Sequence, residues 1–244
     1  MTQKKNIVRA ALTIIAACLS ISGYADTIVI YGASGNIGSK IVTEALDRGH
    51  DVIGVSRNPD SLSVDHANFS AVAGDASRLD SMLDVIDGAD AVIFSIRANG
   101  PNNYPEETLN NRASKVFIAA SRHLGEDAPR VIHLGGGSTL TADGVLALDR
   151  IPAEEGSPLH GLVWGHWLAL QNYRATTSVE WTVITPSGQY DAEGARTGIY
   201  RTGGDESLVG QGGPGGISHR DMAAAILDEI ETPNAIGRRI TIGY

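Results

Sequence analysis

Only one cysteine occurs among the 244 residues. That excludes an internal disulfide framework and a cysteine-rich zinc site. Positive charge is also scarce. There are 19 Lys+Arg against 28 Asp+Glu, a formal net charge of −9. A general nucleic-acid binder needs a basic face to replace phosphate counterions, so that class is excluded. The uncharged run at residues 10–21 falls short of the about 20 apolar residues that span a bilayer. After residue 25 only two lysines remain, Lys40 and Lys115, and no tyrosine has a lysine four positions later. A Tyr-x-x-x-Lys pair, with the phenol as acid/base and the ammonium lowering its pKa, is therefore missing, which argues against the standard alcohol–ketone mechanism. The histidines show no H-E-x-x-H spacing, so no metal site is expected, and no G-x-S-x-G nucleophile elbow occurs.

Apolar residues and glycine are plentiful. Hydrophobic residues make up 42% of the chain, enough for a real core. The 29 glycines are about 12% of the residues against a usual share of about 7%, so their positions carry information.

The N-terminus reads as an export signal over residues 1–25. Lys4, Lys5 and Arg9 precede the uncharged run, and Gly23-Tyr24-Ala25 places small residues at −3 and −1 of a cleavage site. The expected destination is the periplasm or the exterior. Ile15-Ala16-Ala17-Cys18 also resembles a lipobox, so a lipid anchor at Cys18 is one alternative and a cytoplasmic protein the other. Cleavage removes three positive charges and no negative ones, leaving the mature chain more acidic.

From residue 26 strands and helices alternate. Thr27 to Tyr31 is a short apolar run without charge, suited to a strand buried on both faces. Residues 36–49 carry Ile37, Ile41, Val42 and Ala45 at helical spacing and stop at Arg48-Gly49. Further strands are expected at 51–56, 69–73, 89–96, 130–134, 181–184 and 239–242, and helices at 77–87, 105–124, 158–175 and 219–231. This alternation predicts one α/β domain over residues 26–244, a doubly wound parallel sheet of Rossmann type. The irregular stretches 97–105, 135–158 and 187–216 follow strand ends and are candidates for the substrate site.

Gly32-Ala33-Ser34-Gly35-Asn36-Ile37-Gly38 links the first strand to the first helix. In that context a glycine loop binds a dinucleotide. Gly32 allows the tight turn, Gly35 admits a pyrophosphate, and Gly38 lets the helix pack close. Ser34, Asn36 and Ile37 bring backbone to the phosphates at the positive end of the helix. An NAD site usually has an acidic residue after the second strand. This chain has Ser56-Arg57-Asn58 instead, and a guanidinium suits a ribose 2′-phosphate. NADP(H) is therefore expected over NAD(H). Asp75, after the third strand, has two roles open to it that do not exclude each other, accepting a bond from adenine and capping the next helix. Ser95 ends the fourth strand on the same edge.

Residues 27–244 resemble the atypical short-chain dehydrogenases of the NAD(P)H-binding, NmrA-like group, and within it the NADH–flavin reductase branch related to biliverdin reductase B. Gly32 to Gly38, Arg57-Asn58-Pro59 and Gly74-Asp75 carry the likeness in the nucleotide half. Glu180 to Pro186, Arg196-Thr197-Gly198-Ile199-Tyr200-Arg201, Gly203-Gly204-Asp205, Ile217 to Asp221 and Arg239 to Tyr244 carry it in the C-terminal half. Two departures stand out. Such proteins are normally cytoplasmic, and relatives more often read Gly-Gly-Ala-Gly-Ser where this chain has Gly135-Gly136-Gly137-Ser138.

The resemblance implies an NAD(P)H-dependent oxidoreductase acting on FMN, FAD or a similar conjugated small-molecule acceptor. Such a ring is itself an electron sink, so hydride passes directly and the protein mainly stacks and orients the two partners. Ser138 then bonds the nicotinamide amide or the acceptor. His166 and His160, on the following helix, are the candidate proton donors, with His166 better placed by comparison with the family. Pro186 brings backbone near the nicotinamide. His133, inside an apolar strand, reads as a core histidine. The alternatives are a non-catalytic NmrA-like redox sensor and an NAD-dependent epimerase or isomerase.

Overall fold

The computed structural model describes residues 25–97, 103–213 and 215–244. The expected export signal, with Cys18, lies outside the described residues apart from Ala25. The first strand, β1 (Thr27–Tyr31), has no charged side chain and is buried along nearly its whole length. Ile28 and Ile30 face one apolar layer while Val29 and Tyr31 face the other. This is the period-two signature of a strand sandwiched between helices.

Around it lie β2 (Asp51–Ser56), β3 (Phe69–Ala73), β4 (Ala91–Phe94) and β5 (Arg130–Leu134). Two short strands, β6 (Thr141–Ala142) and β7 (Val145–Leu146), form a separate antiparallel pair. Then come β8 (Trp181–Pro186), β9 (Tyr190–Asp191), β10 (Arg201–Gly203), β11 (Ile217–Ser218) and β12 (Arg238–Gly243). The main sheet runs β3-β2-β1-β4-β5-β8-β12-β10. Every pair in it is parallel except β10 with β12. β9 and β11 pair with each other outside it. The strand order reverses between β1 and β4, and ligands of such sheets bind at the carboxyl ends beside that reversal.

Among the described residues five α-helices cover the two faces. α1 (Gly38–Asp47) and α5 (His219–Glu231) pack together on one side. α2 (Leu79–Ile86), α3 (Leu109–Leu124) and α4 (Pro158–Arg174) share the other. The fold is thus a single Rossmann-type domain, as the alternating pattern predicts.

Several boundaries differ from expectation for local reasons. α1 starts at Gly38 rather than 36, because Gly35 N–H closes a tight turn onto the Gly32 carbonyl at 2.9 Å. α3 starts at Leu109 rather than 105. Pro105–Glu107 form a separate 3-10 turn, and the Thr108 hydroxyl caps the helix at Asn111 N–H. α2 is shorter at its start because Asp75 and Ser77 form their own turn. β4 is shorter than 89–96, since Ala89 N–H belongs to the turn after α2. β8 extends two residues further, to Pro186. The antiparallel edge strand β10 had no signal in the sequence pattern.

Candidate nucleotide and acceptor site

The glycine loop leaves β1 at Gly32, whose φ is +84°, a backbone region that favours glycine. A Cβ there would lie 2.1 Å from the Ser95 carbonyl oxygen, at the exit of β4. A Cβ on Gly38 would lie 2.0 Å from the Gly32 carbonyl oxygen. These two glycines are needed by the protein's own backbone. Gly35 is different, because its Cβ would lie 3.1 Å from the Gly32 oxygen and 4.0 Å from the Ser95 oxygen. α1 then begins without a side-chain cap and without an acid in its first turn. Ser39 and Lys40 N–H already donate to the Gly35 and Ile37 carbonyls, and the N–H groups of Asn36, Ile37 and Gly38, with the partial positive charge, are left for an anion. Ser34 and Asn36 are exposed on this loop and Ile37 is half-buried. The cradle fits a dinucleotide pyrophosphate.

At the β2 end Arg57 is exposed, and Ser56 Oγ accepts from Asn58 N–H at 3.2 Å. Asp75 Oδ1 accepts from Ser77 N–H at 2.9 Å and Ser77 Oγ at 2.7 Å. Of the two roles open to Asp75, it holds the turn before α2 in this structure. Burial pushes its carboxyl up, but the Ser77 bonds and the nearby Arg112 and Arg57 more than offset that and hold it below the usual value. Arg112, on α3, was not singled out from the sequence, because nothing in its helical spacing points toward Asp75. Tyr31 lies in the same apolar layer as Ala76. Its hydroxyl is buried without a partner among the described residues.

The β5 exit forms the other end. A Cβ on Gly135 would lie 2.4 Å from Thr185 Oγ1, and one on Gly136 would lie 2.7 Å from His166 Cδ2. The glycines let this turn sit directly on β8 and α4. Ser138 is half-buried in the 3-10 turn Gly137–Thr139. Thr139 anchors that turn by donating its hydroxyl to the Gly136 carbonyl at 2.8 Å. Arg239 reaches it from β12, donating to the Thr139 carbonyl and Oγ1, each at 3.2 Å. Asp205 grips the same guanidinium through Nε at 2.7 Å, and also takes Arg174 at 2.7 Å. Pro186 is buried at the end of β8, its carbonyl 3.2 Å from where a Gly137 Cβ would be.

His166 is half-buried on α4, and burial pushes its imidazole down to about 4, so it is neutral near pH 7. The structure brings Ser138, His166 and Pro186 around one turn. His160 lies almost two helical turns earlier, where its N–H donates to Ser157 Oγ at 3.1 Å and its ring sits 6.1 Å from Trp164. His133 is buried, as expected of a core histidine, and bonds to Tyr173 and Asn110.

The C-terminal segments act largely as locks. Arg196 binds Glu44 of α1 through two bonds of 2.7 Å. Asp221 accepts from Thr197 N–H, Gly198 N–H and Tyr244 Oη at 2.8, 2.8 and 2.6 Å. Gly188 and Gly216 lie in backbone contact, and the Ser187 hydroxyl accepts from Leu208 N–H at 2.6 Å. The glycine-rich stretch near residue 216 therefore has a packing role against the segment that follows β8.

A glycine loop, an uncapped helix start and a second glycine turn on one sheet edge define a dinucleotide-binding protein of Rossmann type. Residues 32–233 match the NAD(P)H-binding family model, and the chain belongs to that family. It is 31% identical to a candidate epimerase from Bacteroides thetaiotaomicron, with a TM-score of 0.77 over 90% of this chain and 97% of that one. A candidate exported protein from Burkholderia pseudomallei is 30% identical, with a TM-score of 0.72 over 90% and 100% of the two chains. A candidate NADH-flavin reductase from Streptococcus pneumoniae is 25% identical, with a TM-score of 0.74 over 90% and 99%. No described helix is long and apolar enough to cross a membrane.

Proposed function

We propose that the protein is an oxidoreductase that passes hydride from NAD(P)H directly to a flavin, FMN or FAD, or to a similar conjugated acceptor. The observation that carries this reading is the shared edge. The phosphate cradle at Gly32–Gly38 and the 135–138 turn stand at the same end of the parallel strands β1 and β5, with β4 between them, an edge along which a dinucleotide can lay its nicotinamide beside an acceptor. The reduced nicotinamide supplies a hydride, the acceptor gains it together with a proton from solvent, and NAD(P)+ is left. Gly35, Ser34, Asn36 and the start of α1 hold the pyrophosphate. Ser138 and the backbone at Pro186 orient the nicotinamide. His166 serves as a neutral hydrogen-bond donor to the acceptor, and His160 borders its entrance.

NADP(H) is favoured over NAD(H). Arg57 and Arg112 both act on the Asp75 region, and β2 ends without an acid. Export to the periplasm or exterior is part of the same reading. It rests on the N-terminal pattern and on the likeness to a candidate exported protein. A second reading, a non-catalytic dinucleotide sensor, draws on the missing Tyr-x-x-x-Lys pair and on the neutral histidines.

One assay tests the proposal. The purified protein is mixed with NADPH or NADH, and the nicotinamide absorbance is followed with and without FMN, FAD or a quinone. Acceptor-dependent oxidation is expected. Tight binding with no oxidation by any of the three would establish the sensor instead.

A further inference from the structure

Every N–H of the Arg239 guanidinium is taken up by two residues. A guanidinium carries five such donors in a planar fork. Nη1 donates to the Thr139 carbonyl and to Thr139 Oγ1, each at 3.2 Å. Nε donates to Asp205 Oδ1 at 2.7 Å, and Nη2 to the same oxygen and, at 3.2 Å, to the Asp205 carbonyl. Burial pushes this guanidinium down from its usual value, while Asp205 opposes the shift. A buried cation persists where its donors are matched and a counter-charge is close, and the fork meets both conditions. With its side chain 2% exposed, Arg239 has no surface with which to reach a ligand.

Donor counting fixes the turn as well. Arg239 only donates, so Thr139 Oγ1 accepts from it, and the one hydroxyl proton of Thr139 goes to the Gly136 carbonyl, 2.8 Å away. Thr139 N–H donates to the same carbonyl at 2.9 Å, and Leu140 N–H to the Gly137 carbonyl at 3.1 Å. The two flanks of Ser138 are thus joined to each other, and Arg239 clamps the joint. The Asp205 side is anchored too. Its carbonyl accepts Thr141 N–H at 2.9 Å and Thr141 Oγ1 at 3.1 Å, and Ser207 N–H returns a bond of 2.8 Å to the Thr141 carbonyl. Arg174 of α4 adds a second cation to the Asp205 carboxylate at 2.7 Å. One guanidinium from β12 therefore ties the exit turn of β5 to the chain that follows β10.

We propose that Arg239, with Asp205 as its counter-charge, is a positioning residue that sets the Gly136–Thr139 turn and through it the Ser138 hydroxyl. The kinetic consequence rests on the reductase reading above; the placement of the turn does not.

Arg239→Lys in the full-length protein tests it, because an ammonium keeps the charge and loses the fork. Amide hydrogen exchange reads the turn directly. The amides of Thr139 and Leu140 should speed up by a larger factor than those of β1. Acceleration no greater at the turn than in β1, the mark of a merely structural role, would overturn the proposal. In turnover with NADPH and FMN, kcat should fall about tenfold. KM for NADPH should stay within about threefold, since the phosphate cradle is untouched. In a Ser138→Ala background the lysine substitution should cost less than about twofold, because the residue through which it acts has gone. An undiminished loss in that background, or an effect on KM alone, contradicts the positioning role. If Arg239→Lys does not fold, Thr139→Val removes the hydroxyl that joins Arg239 to Gly136, and Thr139→Ser restores it. The valine variant should repeat the faster exchange and the lower kcat, and the serine variant should return to within about twofold of wild type. A valine variant with wild-type exchange and turnover sinks the idea. Wild-type protein that oxidises no NADPH with FMN, FAD or a quinone would refute the reductase reading and with it the kinetic part, while the exchange rates still decide whether Arg239 holds the turn.

Discussion

Arg196 grips Glu44 through two hydrogen bonds of 2.7 Å across 152 positions of sequence. The bond ties the segment after β9 to the first helix of the nucleotide half. Asp221 catches the same segment at Thr197 and Gly198. Together they make the C-terminal segment part of the cofactor framework.

Both carboxyls are held below their usual values. The Arg196 bonds do this for Glu44 against its partial burial. For Asp221 burial pushes upward, and the bonds from Thr197, Tyr244 and Gly198 more than offset it. A depressed folded pKa means that the unfolded chain binds more protons as pH falls. The stabilisation is therefore present above the ordinary values of 4.5 and 3.8 and is lost as pH drops through the lower folded ones. Melting temperature should fall steeply below about pH 4, and a Glu44→Gln/Asp221→Asn double variant should show a flatter acid limb. At pH 7, Asp221→Asn should cost about 2 kcal/mol because its site is buried. Arg196→Ala should cost under about 1 kcal/mol, since that side chain is half exposed. Thermal melts across pH 3–7 check both statements.

Two of the loop glycines should separate in experiment. Gly38→Ala drives a Cβ to 2.0 Å from the Gly32 carbonyl oxygen, and backbone cannot yield there cheaply. It should lose both stability and dinucleotide binding. At Gly35 the nearest atom is 3.1 Å away, so Gly35→Ala should keep the fold, with its melting point within a few degrees of wild type. Its NADPH affinity should still drop about tenfold or more, because the new methyl crowds the phosphate cradle. Melting curves and NADPH titrations of the two variants provide the comparison.

The features legible from sequence are those that repeat locally. β1, β2, β3, β5 and α5 keep their expected bounds because short apolar runs and helical spacing are local signals. The glycine loop was readable because its strand and helix context lies within a few residues. The polar line through Asn110, His133 and Tyr173 was not, since its members are scattered over α3, β5 and α4 without periodicity. Neither was the closeness of α4 to the chain before α3. It depends on Gly161 and Gly165, where a Cβ would lie 2.5 Å from the Asn103 carbonyl oxygen and 2.4 Å from Thr108 Oγ1. β10 went unseen because three residues at a sheet edge carry no pattern, and their place is set by pairing with β12.

Arg57→Ala should separate the two cofactors. A guanidinium on a 2′-phosphate makes charge-assisted bonds that NADH has no group to share. NADPH affinity should fall about tenfold or more while NADH affinity stays within about twofold. Arg112→Ala should move in the same direction by less, because that side chain is half-buried beside Asp75 and partly serves it. Equal losses for both cofactors in the Arg57 variant would remove the 2′-phosphate role. Fluorescence titration with each dinucleotide measures it.

Tyr31 offers a test in which losing a group improves the protein. The residue is 2% exposed, and its hydroxyl has no partner among the described residues. Burial, and after it the charge of Asp75, push the phenol well above its usual value, so it stays protonated at any pH of interest. A buried hydroxyl that has given up water without a replacement costs about 1–3 kcal/mol. The ring itself is well used, packed at a tilt of 31° against Phe94 with centroids 5.2 Å apart. Tyr31→Phe removes the oxygen and keeps that contact. It should raise stability by about 1 kcal/mol, or about 2–4 °C in melting temperature for a domain of this size. A bound water satisfying the hydroxyl would reverse the sign, because its hydrogen bonds would go with the oxygen. A lower melting point for Tyr31→Phe would therefore show that this hydroxyl is solvated in the native protein.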